Sequence, residues 1–179
     1  KRQAVECGFI APIYTVTGWN SASGAKIPVD EVVPVFGGYC EAPWENHMNR
    51  LSPSPHYFFN RMRNDSAIGT DLIAKTQSDG WQLPYERYPF ATCELGGGIE
   101  VTHHRRPIIK PMDIYAVSLV KLGDGNNLVG YYMYHGGTNK IGELSTFNET
   151  KATGYPNDYP ILSYDFQAPL SEYGEVREQ

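Results

Sequence analysis

Three runs of β-branched and aromatic residues in this chain each end in polar residues and glycine, and that repetition constrains the fold more than any other feature. The first, Pro12-Ile13-Tyr14-Thr15-Val16-Thr17, stops at Gly18 and is followed by Trp19 and Asn20. The second, from Tyr88 to Cys93, delivers Glu94 at its last position and then releases the backbone through Leu95, Gly96, Gly97 and Gly98. The third, Leu128 to Tyr134, ends in His135-Gly136-Gly137-Thr138-Asn139. In an α/β barrel the catalytic groups sit where strands end, at one face, and three such ends fit one active-site rim. Helical segments lie between the runs. Lys1 to Cys7 closes at Gly8, and Pro111-Met112-Asp113 opens a helix through Ile114, Val117, Leu119, Val120 and Leu122 that stops at Gly123. Helix, short turn, strand is the grammar of an α/β fold. A whole (β/α)8 barrel needs eight such units and typically ~250 residues. With about three units visible in 179 residues, the chain reads as a partial (β/α)8 TIM barrel.

Glu94 is the residue with the most chemical promise. A carboxylate presented at a strand end, beside open backbone, suits a nucleophile or a general base. Gly96 to Gly98 can take positive φ and admit a ligand where a Cβ would obstruct it. The alternative is a strand followed by a flexible turn, with Glu94 solvated. Cys93 is either a reactive thiol or a small buried residue on the strand's inner side. Trp19 and Asn20 either stack on and hydrogen-bond a ligand or cap the rim.

The remaining segments carry weaker signals. Ser21 to about Pro55 reads as a long loop-rich excursion holding Val32-Val33-Pro34-Val35-Phe36 and Gly37-Gly38-Tyr39, and loops of that length inside a compact domain are usually functional. Trp44 within it lines a pocket or packs under the loop. His47 and His56 lack a ligand-spaced partner and read as surface or core histidines. From Pro55 to Ser78 the apolar residues Tyr57, Phe58, Met62, Ile68, Leu72 and Ile73 suggest partial helix. His103-His104-Arg105-Arg106 invites a metal or anion reading, but adjacent positions point in different directions, which disfavours a joint metal site. The default there is a charged face, with an Arg pair that holds a carboxylate or orients Glu94 as the sharper option. The last forty residues are rich in Tyr and Pro and read mostly as loop.

Charge and composition exclude several function classes. A net charge of −5, from 20 acidic and 15 basic residues, argues against a nucleic-acid partner. No apolar run approaches the ~20 residues of a membrane span. Three widely spaced cysteines, Cys7, Cys40 and Cys93, offer neither a metal cluster nor a disulfide framework. The chain opens inside a helix, as an excised piece of a longer protein would, so the lack of a leader segment carries no information about compartment.

Three stretches together resemble glycoside hydrolase family 35, the family of retaining β-galactosidases: Thr92-Cys93-Glu94-Leu95-Gly96-Gly97-Gly98, Tyr132-Met133-Tyr134-His135-Gly136-Gly137-Thr138-Asn139, and Ser163-Tyr164-Asp165-Phe166 through Ala168-Pro169-Leu170-Ser171-Glu172-Tyr173-Gly174. The first, with Tyr14-Thr15-Val16-Thr17-Gly18-Trp19, is similar to a variant written in a bacterial branch. The resemblance covers essentially the whole chain. It implies that residues 1–179 are the C-terminal portion of the family's catalytic barrel, about strands six to eight with their helices and long loops. It places Glu94 on the catalytic nucleophile and puts the acid/base glutamate upstream, outside this chain; Asp165 and Glu100 do not fall on that position. Trp19, Tyr132, Asn139 and Tyr164 are the implied pocket residues. The implied substrate is a β-galactoside-containing glycan, with no metal or organic cofactor. The implied partner is the N-terminal half of the same barrel, and the implied setting is extracytoplasmic. Phe166, Gln167, Gly96 and Ile99 depart from the family pattern, which puts the galactose preference in question more than the retaining chemistry. The competing readings are a retaining β-glycosidase for another sugar and a non-catalytic glycan-binding or inactive relative. An isolated piece with half an active site is expected to be inactive, and its open barrel edges would favour self-association.

Overall fold

The strand with the most buried residues lies inside what the sequence presents as a loop. In the computed structural model, which describes residues 1–16, 28, 30–43, 45, 47–60, 63, 83–144 and 162–179, Val33–Gly38 forms β2 and only Val33 escapes full burial. It lies between β1 (Tyr14–Val16) and β3 (Thr92–Gly96), with β4 (Tyr131–Tyr132) on the far side of β3; the sheet order is β1-β2-β3-β4 and every pair is parallel. Pro34 and the Gly37-Gly38 pair disguise this strand, because both residue types weaken a strand reading. Pro34 is tolerated for a local reason. The ladder between β2 and β3 begins only at Phe36 opposite Thr92, so the donor that Pro34 lacks falls before that ladder starts.

Turns fix the strands from outside. Thr92, buried, accepts hydrogen bonds at Oγ1 from Asn126 Nδ2 at 3.2 Å and from the Gly130 N–H at 3.0 Å. Asn127 and Phe90 exchange two hydrogen bonds, N–H to carbonyl at 2.7 Å and N–H to Oδ1 at 3.1 Å. The Asn126-Asn127 turn therefore clasps the start of β3, and the expected third strand contracts to β4 plus a single bridge between Leu128 and Ala91.

Two helices are described. The opening one, α1, spans Arg2–Glu6, with Gly8 at φ +83° beyond it. The second, α2, spans Pro111–Gly123; Pro111 opens it and the Asp113 carboxylate accepts from the Lys110 N–H at 2.7 Å, an N-terminal cap. Its left-handed stop is Gly125 at φ +91° rather than Gly123. Ile114 and Val117 pack on Leu95 and Cys40. The buried Lys121 ammonium sits 3.4 Å from Asp124. Leu119 and Leu122, on the same helix, are exposed. Between β2 and β3 the described part of the anticipated helical stretch is one 3-10 turn, Pro55–Tyr57; Met62, Ile68, Leu72 and Ile73 lie outside the described residues. His56 is the core histidine of the two options. Its ring fills the space beside Gly38, where an added Cβ would sit 2.7 Å from it, whereas His47 is exposed.

The C-terminal segment is loop with an internal frame. β5 (Gly137–Thr138) pairs antiparallel with β6 (Ser163–Tyr164), and the Glu172 carboxylate accepts from the hydroxyls of Thr138 and Ser163, fastening both strands. Among the described residues no helix is long and apolar enough to cross a membrane.

Gly98 lies against the Phe166 carbonyl so closely that no Cβ fits between them. Gly98→Ala forces two backbones apart, and the expected cost is about 1–3 kcal/mol in denaturant unfolding of the intact protein, with little change in m-value. A loss under a few tenths of a kcal/mol would show that this contact is loose.

Candidate active site

Glu94 is the third residue of the five in β3, not its last, and a register shift aims it. Phe36 pairs with Thr92 but Gly37 pairs with Glu94, so Cys93 is an extra residue in the ladder. A bulge of this kind re-aims the following side chain. The Glu94 carboxylate is half-buried, and its Oε1 accepts a 2.6 Å hydrogen bond from the Tyr39 hydroxyl. Among the described residues Oε2 accepts none. Burial raises the Glu94 pKa, and the Tyr39 bond pulls it back down by favouring the charged form. Glu94 is thus not a solvated bystander after a flexible turn.

Tyr39 was hidden with its strand. It follows the end of β2, is 1% exposed, and its own carbonyl accepts from Ser54 Oγ at 2.6 Å. Burial first, then the neighbouring Glu94 charge, holds its phenol well above the ordinary value, so it stays a donor. The available signal was the glycine pair ahead of an aromatic residue, Gly37-Gly38-Tyr39, which repeats the strand-end pattern seen elsewhere in the chain.

Tyr132 and Tyr164, two of the implied pocket residues, lie side by side. Their hydroxyls are 3.0 Å apart, which brings β4 and β6 together. Phe166 is the hub beneath them: its ring centroid lies 5.2 Å from Tyr132, 5.6 Å from Tyr164 and 5.9 Å from Tyr39. It is 3% exposed and belongs to the packing rather than to the pocket surface. Gln167 is likewise occupied. Its amide donates to the carbonyls of Ile99 and Pro107, at 3.3 and 3.0 Å, and accepts from the Ile109 N–H at 3.2 Å. Asn139 stands apart from this cluster, just beyond β5, with its backbone N–H donating to the Leu162 carbonyl at 2.7 Å. Trp19, Asn20 and Trp44 lie outside the described residues.

The glycines after Glu94 serve a different purpose from the one expected. None of Gly96, Gly97 and Gly98 has positive φ, and all three are buried. What approaches them is the chain itself. An added Cβ on Gly96 would be 2.5 Å from the Tyr39 ring, and one on Gly97 would be 2.5 Å from the Met133 carbonyl oxygen. Tyr39 therefore fills the space beside Glu94 that the glycine leaves, and Ile99, fully buried, packs on Tyr39 and Phe166.

Two other sequence options fall away. Burial raises the Cys93 thiol to about 11, which disfavours a reactive thiolate. The basic run does not reach Glu94: Arg105 donates to the carbonyls of His47 and Asn49, at 2.7 and 3.1 Å, and His104 Nε2 lies 2.8 Å from the Glu45 carbonyl oxygen. These contacts pin the loop that follows Tyr39. No group of three or more metal-ligating side chains occurs among the described residues.

A half-buried carboxylate with one strong donor on one oxygen and a free second oxygen is equipped to attack an electron-poor carbon. Tyr39→Phe removes the donor, and the Glu94 titration midpoint moves further upward, read by carboxyl NMR or infrared titration of the intact protein. Stability falls by about 1–3 kcal/mol, as for a lost hydrogen bond to a charged group. An unmoved midpoint would break the link between the two residues.

Comparison with known proteins gives one family: the model for glycosyl hydrolases family 35 matches residues 27–179. Beta-galactosidase 10 of Arabidopsis thaliana is 39% identical over 69 residues, covering 38% of this chain and 8% of that protein. Beta-galactosidase 3 of Oryza sativa subsp. japonica is 41% identical over 86 residues, covering 48% of this chain and 9% of the relative. The matches span less than a tenth of these curated relatives. Both are plant proteins, so the bacterial flavour of the motif spelling finds no support. No solved structure gives a significant match.

Proposed function

The chain belongs to glycosyl hydrolases family 35, and from that premise we propose that it is the C-terminal portion of the catalytic barrel of a retaining β-glycosidase, acting on terminal β-D-galactosides, with Glu94 as nucleophile. The observation that carries this reading is the Glu94 carboxylate itself, half-buried on a parallel strand, held at one oxygen by Tyr39 and exposing no hydrogen-bonded second oxygen among the described residues. The four parallel strands are compatible with one arc of a barrel, about strands six to eight of the family's order together with the strand hidden in the loop. The β-galactosidase names of the plant relatives support the choice of sugar.

The mechanism follows from what each group can do. A retaining glycosidase uses two carboxyl groups about 5–5.5 Å apart. The Glu94 Oε2 forms a bond to the anomeric carbon as the glycosidic C–O bond breaks, while an acid from the upstream part of the protein protonates the leaving oxygen. That same residue then takes a proton from water, the water oxygen attacks the anomeric carbon, and the bond to Glu94 breaks. Configuration is inverted twice and so retained. Tyr39 donates to the carboxylate in the ground state and after it is released, keeping it ionised and oriented. Tyr132 and Tyr164, with coupled hydroxyls beside the nucleophile, are the candidates to hold the sugar, with Trp19 and Asn139 as outer pocket positions.

Glu94→Gln in the intact protein lowers β-galactoside hydrolysis on the order of 10⁴-fold or more, because no comparable nucleophile replaces it. In the unaltered protein a 2-deoxy-2-fluoro-β-galactosyl donor leaves an adduct on the peptide containing Glu94, read by mass spectrometry. An adduct on another residue overturns the assignment. Labelling only by a different fluoro-sugar keeps the chemistry and discards galactose, and silence with every donor favours a glycan-binding role.

A further inference from the structure

Among the described residues, Glu94, Asp165 and Glu100 border the aromatic cluster, and the first two are provided for. Glu94 has the Tyr39 hydroxyl. Asp165 has the Arg177 guanidinium at 2.6 Å and the backbone N–H groups of Gln167 and Glu172, at 3.2 and 2.7 Å. The third, Glu100, is 4% exposed, and its Oε2 is buried with no hydrogen-bond partner. Among the described residues it forms no ion pair.

Its surroundings offer negative charge. Asp165 faces it from the segment after β6, and Tyr164 of β6 feels both Glu100 and Glu94. Tyr132 of β4 shares a hydroxyl contact with Tyr164, and Arg177 is bound to Asp165. Among the described residues, the one favourable element for a charge is the Val101 N–H. Glu100 also sits at the end of a tight clamp. The Ile99 N–H donates to the Phe166 carbonyl at 2.7 Å, Gln167 returns a bond to the Ile99 carbonyl, and Gly98 touches the Phe166–Gln167 backbone. Phe166 and Gln167 take φ of +59° and +48°, conformations a non-glycine residue holds only when packing enforces them.

We propose that Glu100 is a positioning residue that works as the neutral acid: uncharged, it lets this clamp close beneath Tyr132 and Tyr164, and its ionisation loosens the support of the site. An ionised carboxylate here lacks both a cation and a full set of donors, so it gains solvation only by opening the clamp. Burial, followed by the Asp165 charge, raises the Glu100 pKa to about 8, consistent with a neutral side chain under ordinary conditions. In the unfolded chain the same carboxyl titrates near its ordinary value of 4.5. Between those two pH values the folded state retains a proton that the unfolded state releases, so stability falls with rising pH until the folded group also ionises.

This role rests on the glycosidase reading, and the test separates the two. The intact protein and its Glu100→Gln variant, which carries a neutral side chain of the same shape, are compared from pH 4 to pH 9.5. The expected result has two parts. The Tm advantage of the variant grows between pH 4.5 and about 8 and then levels off. The variant-to-parent ratio of kcat/KM for a β-galactoside rises about tenfold between pH 6 and pH 9, as expected when a neutral form with this pKa is depleted. A variant less stable at every pH means that Glu100 is charged and paired in the intact protein, and overturns the proposal. A pH-dependent Tm advantage with an unmoved rate profile also overturns it, leaving a buried acid without influence on the site. Should the protein bind a β-galactoside without cleaving it, the same tenfold change is read in Kd, so failure of the glycosidase reading leaves the Glu100 role decidable.

Discussion

The described architecture depends on one close approach of main chain to main chain. Gly97 and Gly98, directly after the strand that carries Glu94, lie against the Met133 carbonyl and the Phe166–Gln167 backbone. No side chain larger than hydrogen fits there, and the contact draws β3, β4 and the C-terminal segment together. The left-handed conformations of Phe166 and Gln167 are held by what surrounds them, a ring packed among three tyrosines and an amide with three hydrogen bonds. Each part of this junction makes the next possible.

The junction also gives Gly96, Phe166 and Gln167 definite structural parts. Gly96 leaves space that the ring of Tyr39, just after β2, occupies. Phe166 is the apolar hub of the cluster. Gln167 is a staple between the C-terminal segment and the chain after β3. The paired hydroxyls of Tyr132 and Tyr164 keep polar atoms beside this apolar cluster.

Electrostatics at the site follow from the same burial. Water is displaced from Glu94, Tyr39, Tyr164 and Glu100, and each is shifted toward its neutral form. Of Glu94 and Glu100, only Glu94 is opposed by a side-chain hydrogen bond that favours its charge. Chemically similar side chains a few residues apart are thereby given different protonation habits.

What the sequence determined by itself was local. Helix α2 has Pro at its start and Asp113 positioned to cap it, and these signals act over a single turn. Glu94 stands out because a carboxylate followed by glycines is unusual chemistry at a strand end, and the Tyr132 and Tyr164 motifs were legible as family patterns. Tertiary structure alone decided the rest. Val33–Gly38 looks like a loop because proline and glycine disfavour strands in isolation, and it becomes a strand because β1 and β3 bury it on both sides. Tyr39 and Glu94 are 55 residues apart in the chain, and the purpose of Gly96 to Gly98 is to admit partners equally remote. Contacts of that range leave no trace in periodicity or spacing, because each is fixed by which surfaces remain to be buried once the others have closed.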